Sequence, residues 1–121
     1  MGGQKENPLF IKEDLFAKEV YKITQDFPKD EMYSLTSQLR RAGLSVILNI
    51  VEGFARWSDQ NSKSDKEFKR FLIISFGSLK ESRYLLYFAK EQKYFEEKEY
   101  EQILDLSNEV SKIIWRIINP K

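Results

Sequence analysis

The sequence predicts an all-α protein, an antiparallel up-down four-helix bundle forming a single domain over residues 1–121, and three observations carry that expectation. Only five Gly and three Pro punctuate 121 residues, which suits long helices better than many short strands. Apolar residues recur at three- and four-residue intervals along the chain. Four such stretches are joined by short polar turns, the pattern of consecutive helices packed side by side.

Each helix has its own spacing and punctuation. Leu9, Phe16, Val20, Ile23 and Phe27 follow the helical rhythm, so a first helix is predicted over residues 9–25, stopped by Asp26-Phe27-Pro28. Pro28 suits the first turn of a second helix, where its missing N–H costs nothing, and Asp30 and Glu31 favour the positive end of that helix's dipole. This second helix is predicted over residues 28–56. Residues 57–63 read as a polar turn, and Ser64 with Glu67 has the spacing of a capping box that starts a third helix over residues 65–91. Phe68, Leu72, Ser75, Leu79, Ser82, Leu86 and Ala89 repeat at heptad spacing along it, with Phe71, Ile74, Leu85 and Phe88 widening the stripe. Tyr100, Ile103, Val110, Ile114 and Ile117 define a fourth helix over residues 96–119, closed by Asn119-Pro120.

Composition removes whole classes of chemistry. The absence of cysteine excludes disulfides, thiolate metal sites and cysteine nucleophiles; the absence of histidine excludes the commonest metal ligand and the usual base at neutral pH. With no phosphate loop or nucleophile–base pair either, no enzymatic activity, metal or cofactor is expected. Twenty basic against nineteen acidic side chains leave a net charge of +1, so any nucleic-acid footprint must be local. The uncharged run at residues 42–51 is about half the length a membrane span needs, and the N-terminus carries no apolar signal region. A cytoplasmic protein is expected, with which the lack of cysteine agrees.

The second helix carries the most information. At 100° per residue, Gln38, Arg41, Ser45, Asn49 and Glu52 share one narrow polar stripe, flanked by Leu35, Leu39, Ala42, Val46 and Ile50 on one side and by Leu44, Leu48, Val51 and Ala55 on the other. Ile47 and Phe54 point away from the stripe. The stripe reads either as a buried hydrogen-bond network that sets helix register, with Glu81 or Arg83 as charge partners, or as a polar site. So little of the circumference is left for water that a second burial surface is expected, a homo-oligomer seam through Ile47, Val51 and Phe54.

The residues Phe27-Pro28, Glu31, Tyr33, Leu35-Thr36, Gln38-Leu39-Arg40-Arg41-Ala42, Ser45-Val46, Asn49-Ile50 and Glu52-Gly53 are followed by Phe71-Leu72 and Gly77-Ser78-Leu79. Together they resemble the intervening-sequence proteins, four-helix bundles encoded within insertions in bacterial large-subunit ribosomal RNA genes or elsewhere in bacterial genomes. The accessory proteins of diversity-generating retroelements look like relatives. The resemblance covers nearly the whole chain, and its most restrictive part is the Gln-Leu-Arg-Arg-Ala run with Ser, Asn-Ile and Glu-Gly at fixed offsets. It implies a helical bundle assembled as a ring, a pentamer, with nucleic-acid binding suspected for relatives and no established reaction. Ile47 stands where the family often has Pro and Val51 where it often has Ala; the linker at residues 58–64 is longer than is usual there.

A nucleic-acid surface needs clustered cations and, for unpaired bases, aromatic faces. One candidate cluster brackets the turn between the second and third helices: Arg56, Lys63, Lys66, Lys69 and Arg70, with Trp57 as the aromatic, against Asp59, Asp65 and Glu67. Cations in the first turns of a helix oppose its dipole, which points to a use other than stability. The plainer reading is a solvated loop with Trp57 closing the core. Arg40 and Arg41 suit either an axial basic lining or interface salt bridges. Residues 90–101 hold three basic and five acidic side chains and make a poor phosphate surface. The expected partners are therefore further copies of the chain and RNA or other nucleic acid, or else a partner protein for which the bundle is a scaffold.

Overall fold

The structure, a computed structural model, describes residues 7–57 and 62–120, with the backbone alone at residues 62–64. Among the described residues it is all-α: α1 (Pro8–Thr24), a 3-10 turn (Lys29–Glu31), a π-helical turn (Met32–Thr36), α2 (Ser37–Trp57), α3 (Ser62–Glu91) and α4 (Glu97–Ile118). None of these helices is long and apolar enough to cross a membrane.

Local chemistry sets the helix ends. The Asn7 side chain accepts from the Leu9 N–H at 2.8 Å, and Pro8 follows at the first helical position, where no N–H is required. The second helix does not run unbroken from Pro28. The Glu31 carboxylate accepts from the Ser34 hydroxyl at 2.7 Å and from the Tyr94 hydroxyl at 2.8 Å, and these bonds tie down a wide π turn. They also hold the Glu31 carboxyl below its ordinary value, Ser34 contributing most. The wide turn lets adjacent Leu35 and Thr36 both face the core before the regular α2 rhythm resumes at Leu39. Ser64 is not an N-cap: α3 starts at Ser62, which places Ser64 inside the helix. A capping box stands instead at α4, where Glu99 accepts from the Glu96 N–H and the Glu96 side chain caps the N3 position.

The α3 stripe of Phe68, Leu72, Ser75, Leu79, Ser82, Leu86 and Ala89 is buried along its whole length, facing Leu39, Val46 and Ile50 of α2, Leu9, Phe16 and Val20 of α1, and Ile103, Val110 and Ile114 of α4. Its serines are satisfied by backbone carbonyls, Ser75 donating across to Val46 at 2.6 Å and Ser82 back to Ser78 at 2.9 Å. Gly53 allows α2 and α3 to approach closely, since a Cβ there would stand 3.2 Å from that of Phe71. Arg40 clamps α1 to α2: its Nε donates to the Thr24 hydroxyl at 2.8 Å and its guanidinium lies 4.5 Å from the centre of the Tyr21 ring. This use differs from the axial lining or interface salt bridge expected of it.

Phe27 meets Tyr94 and Phe95 at 5.5 and 5.9 Å between ring centres, closing one end of the core. There α3 ends in a Schellman motif, with the Tyr94 N–H on the Ala89 carbonyl and the Lys93 N–H on Lys90. Lys93 sits at φ 63, a left-handed conformation that costs a residue with a Cβ. Lys93→Gly should therefore stabilise the fold by about 1 kcal/mol, read as a higher urea midpoint at unchanged m. An unchanged or lower midpoint would mean that the lysine side chain contributes more than its backbone costs.

One seam residue is placed differently from expectation. Ile47 is only 8% exposed and belongs to the core of its own bundle, while Val51 and Phe54 are half-buried. The outward ridge of α2 is instead Leu44 and Leu48, the latter 59% exposed. Close packing of α1 against α2 near Gly43 rotates Ile47 inward, and Leu48, about 100° further round, outward.

Candidate nucleic-acid interface

The turn between α2 and α3 brings the candidate cations into two groups. Arg56 is committed to carboxylates: its Nε donates to Glu52 at 3.1 Å and its Nη1 to Glu67 at 3.4 Å. It is therefore half of a surface ion-pair network rather than a ready phosphate contact. Lys66, Lys69 and Arg70 lie about 100°, 160° and 60° around α3 from Glu67, and none of them has a carboxylate partner among the described ion pairs. Arg70 rests its guanidinium 5.1 Å from the Phe71 ring centre, which steers the charge without neutralising it. The Lys63 side chain lies outside the described residues.

Trp57 does two things at once. One face of the indole stacks on Phe68, with ring centres 4.7 Å apart and planes 16° from parallel, and Phe54 meets Phe68 edge-on at 5.1 Å. The aromatic trio closes this end of the core, yet Trp57 remains exposed. The expected five cations reduce to Lys66, Lys69 and Arg70, on the helix that Trp57 meets through Phe68.

Gln38, Arg41 and Ser45 of the α2 polar stripe line an open groove of about 350 Å³ against α3, so the expectation of a buried network is corrected. Gln38, Arg41 and Glu52 are exposed, and only Ser45 and Asn49 are half-buried. Those two are hydrogen-bonded together: Asn49 donates to the Ser45 carbonyl at 2.8 Å and hydroxyl at 3.0 Å, and Ser45 shares a 2.8 Å bond with Ser78 across the groove. Gln38 reaches Glu81 at 3.5 Å, and Arg83 takes no part in the groove. Arg41 lines it without a hydrogen bond or ion pair among the described residues, and Tyr33, 95% exposed, stands at the mouth. A stripe at the seam of two helices is wetted because neither helix has a third neighbour on that side.

A model of the 23S rRNA-intervening sequence proteins matches residues 9–116, from the first turn of α1 to near the end of α4. The chain belongs to that family. It is similar to a crystal structure from Bacteroides thetaiotaomicron, a protein of unknown function in the S23 ribosomal protein family. The two share 25% identity at a TM-score of 0.75, over 91% of this chain and 97% of that one. No curated protein matches it. In this intervening-sequence protein the pairing of Arg56 with Glu52 was legible, because the two are four residues apart on one helix. A less obvious signal marked Glu13, which falls on the Leu9, Phe16, Val20, Ile23 stripe of α1 and is completely buried there. Neither Glu13 oxygen has a hydrogen-bond partner, and burial pushes its carboxyl up to about 9 against a smaller opposing pull from Ser75.

Proposed function

We propose that this chain is a non-enzymatic, cytoplasmic, RNA-binding scaffold that works as a homo-oligomeric ring, a pentamer. The observation that carries the reading is the group Lys66, Lys69 and Arg70, three cations with no described carboxylate partner, at the same end of the bundle as exposed Trp57. Cations so placed contact phosphates, and the exposed indole offers the face not stacked on Phe68 to an unpaired base. The family's association with 23S rRNA favours RNA over DNA. One weak patch per subunit, repeated around a ring, multiplies through effective concentration.

The ring rests on two apolar rows on different faces. Leu44 and Leu48, with Val51, form the ridge of α2, and Ile11 and Leu15 are exposed on α1. Unlike patches that meet head to tail generate a ring where the rotation between copies closes, so a second copy is the occupant proposed for the ridge. The antiparallel up-down order is supported by pairings at both ends of α2 and α3, Arg56 with Glu67 and Gln38 with Glu81.

The test is retention of RNA by the purified protein across a salt series. Lys66→Glu, Lys69→Glu and Arg70→Glu together should abolish binding while leaving the assembly mass unchanged. Neutralising the same three to Gln should flatten the slope of log affinity against log salt by about two per subunit. Unchanged binding in the reversed variant would remove this patch. RNA binding that ignores salt would favour the rival reading, a scaffold for a partner protein.

A further inference from the structure

The cations at the start of α3 continue along the helix. Measured from fully buried Leu79 at 100° per residue, Lys69 and Tyr87 fall at about 80°, Lys80 at about 100°, and Lys66 and Tyr84 at about 140°, with half-buried Arg83 nearer the core at about 40°. Between residues 66 and 88 the carboxylates are Glu67 and Glu81 alone; at about 240° and 200° they lie toward α2, where Arg56 and Gln38 hold them, and Arg70 at about 180° marks the edge between the two sides. Neither Lys80 nor Arg83 has a carboxylate partner among the described ion pairs; Lys80 lies 5.1 Å from the centre of the Phe76 ring.

The neighbouring helix keeps this flank free of negative charge. Lys90, which meets Tyr87 and Tyr100 rings at 5.2 and 5.1 Å, shows that this side of α3 borders α4. The α4 acids Asp105 and Glu109 are drawn to its other side, lining a groove with α1, where Glu109 pairs with Lys12 at 2.6 Å. Toward α3 the same helix presents Asn108, Ser111 and exposed Trp115 by rotation. Glu97 and Glu101 close the track at its far end, and Lys90 is already neutralised there by Glu91 and Glu97.

Aromatic rings are interleaved with the cations. Tyr84 and Tyr87 are 60% and 45% exposed, with ring centres 6.3 Å apart and planes 41° from parallel. Exposed aromatic faces beside unpaired cations fit bases and phosphates. A lipid surface would call for a broad aliphatic face, and Ile73 is the one exposed aliphatic on this flank among the described residues.

We infer that the outer flank of α3, from Lys66 to Tyr87, is a continuous track for single-stranded RNA in which Lys66, Lys69, Arg70, Lys80 and Arg83 take phosphates while Tyr84 and Tyr87 stack bases. This rests on the RNA-binding reading and extends it beyond the start of the helix. At 1.5 Å per residue the track is about 30 Å long, the span of about nine stacked nucleotides at 3.4 Å each.

The experiment measures binding of the full chain to labelled 12-nucleotide and 4-nucleotide single-stranded RNAs and to a perfect duplex, with helicity checked for every variant. Wild type should prefer the 12-mer to both. Tyr84→Ala with Tyr87→Ala should weaken the 12-mer at least tenfold with an unchanged salt slope, and Lys80→Glu with Arg83→Glu should weaken it and flatten the slope. If both of these variants bind the 12-mer like wild type while the Lys66, Lys69 and Arg70 reversal does not, the track is overturned and RNA binding at the helix start stands. A wild-type protein that holds none of the three RNAs at low salt overturns both. Saturable binding to phosphatidylserine vesicles together with no preference for the 12-mer would also overturn the track, reassigning the flank to a membrane surface.

Discussion

Glu13→Met should raise the thermal midpoint at pH 7 by ~10 °C and should flatten the dependence of stability on pH. Glu13 is fully buried on the core face of α1, both oxygens unpaired, with its carboxyl pushed up to about 9 by burial. The folded chain therefore keeps a proton that the unfolded chain releases at the ordinary carboxylate value of 4.5. An acid whose folded pKa is raised contributes full stability below the unfolded pKa and loses it as pH rises toward the folded pKa. Wild-type stability should thus fall between about pH 4.5 and 9 and level off above that. The loss is about 1.4 kcal/mol per pH unit, or about 3 kcal/mol by pH 7. Methionine has a similar length and no proton to lose, and it removes the orphaned oxygens as well. Urea titrations of both proteins at pH 5, 7 and 9 check this. Parallel curves for the two would show that the carboxyl is solvated in the folded state.

A charge at Leu48 should split the assembly without unfolding the chain. Leu48 is 59% exposed in the single bundle, so Leu48→Glu removes little from the core. If the ridge is covered by a second copy, the same substitution buries a carboxylate in an apolar seam, where an unpaired charge is strongly unfavourable. Light scattering after size exclusion should show the mass fall from several times 14.4 kDa to that of the monomer, with far-ultraviolet circular dichroism unchanged. Ile47 is the wrong place for this test: at 8% exposure a charge there would unfold the bundle itself. An assembled mass that survives Leu48→Glu would move the seam elsewhere, and a monomeric wild type would end the ring proposal.

How much was legible follows the range of the interactions. The α3 stripe from Phe68 to Ala89 is written in heptad spacing, and all seven residues are buried, because periodic burial is a property of one helix against its neighbours in general. The choice between Ile47 and Leu48 was not legible. Both belong to the same apolar stretch, and only the close approach of Val20 to Gly43 decides which one turns inward. The candidate site divides in the same way. The cluster near the turn could be named from the sequence, but Arg56 was counted among its cations because Glu67, its second partner, is on the next helix.

By itself, then, the sequence determined the helical class, the stripe that α3 buries and the chemistries excluded by a chain without cysteine or histidine. It also carried the motifs of the intervening-sequence family, which the match over residues 9–116 establishes. Only the tertiary structure decided the wide turn before α2, the open groove along the polar stripe, the burial of Glu13 and the separation of charge across the two flanks of α3. The physical reason is one of distance along the chain. Propensity and periodicity act within a few residues, whereas desolvation and charge pairing depend on which other helix arrives beside a side chain.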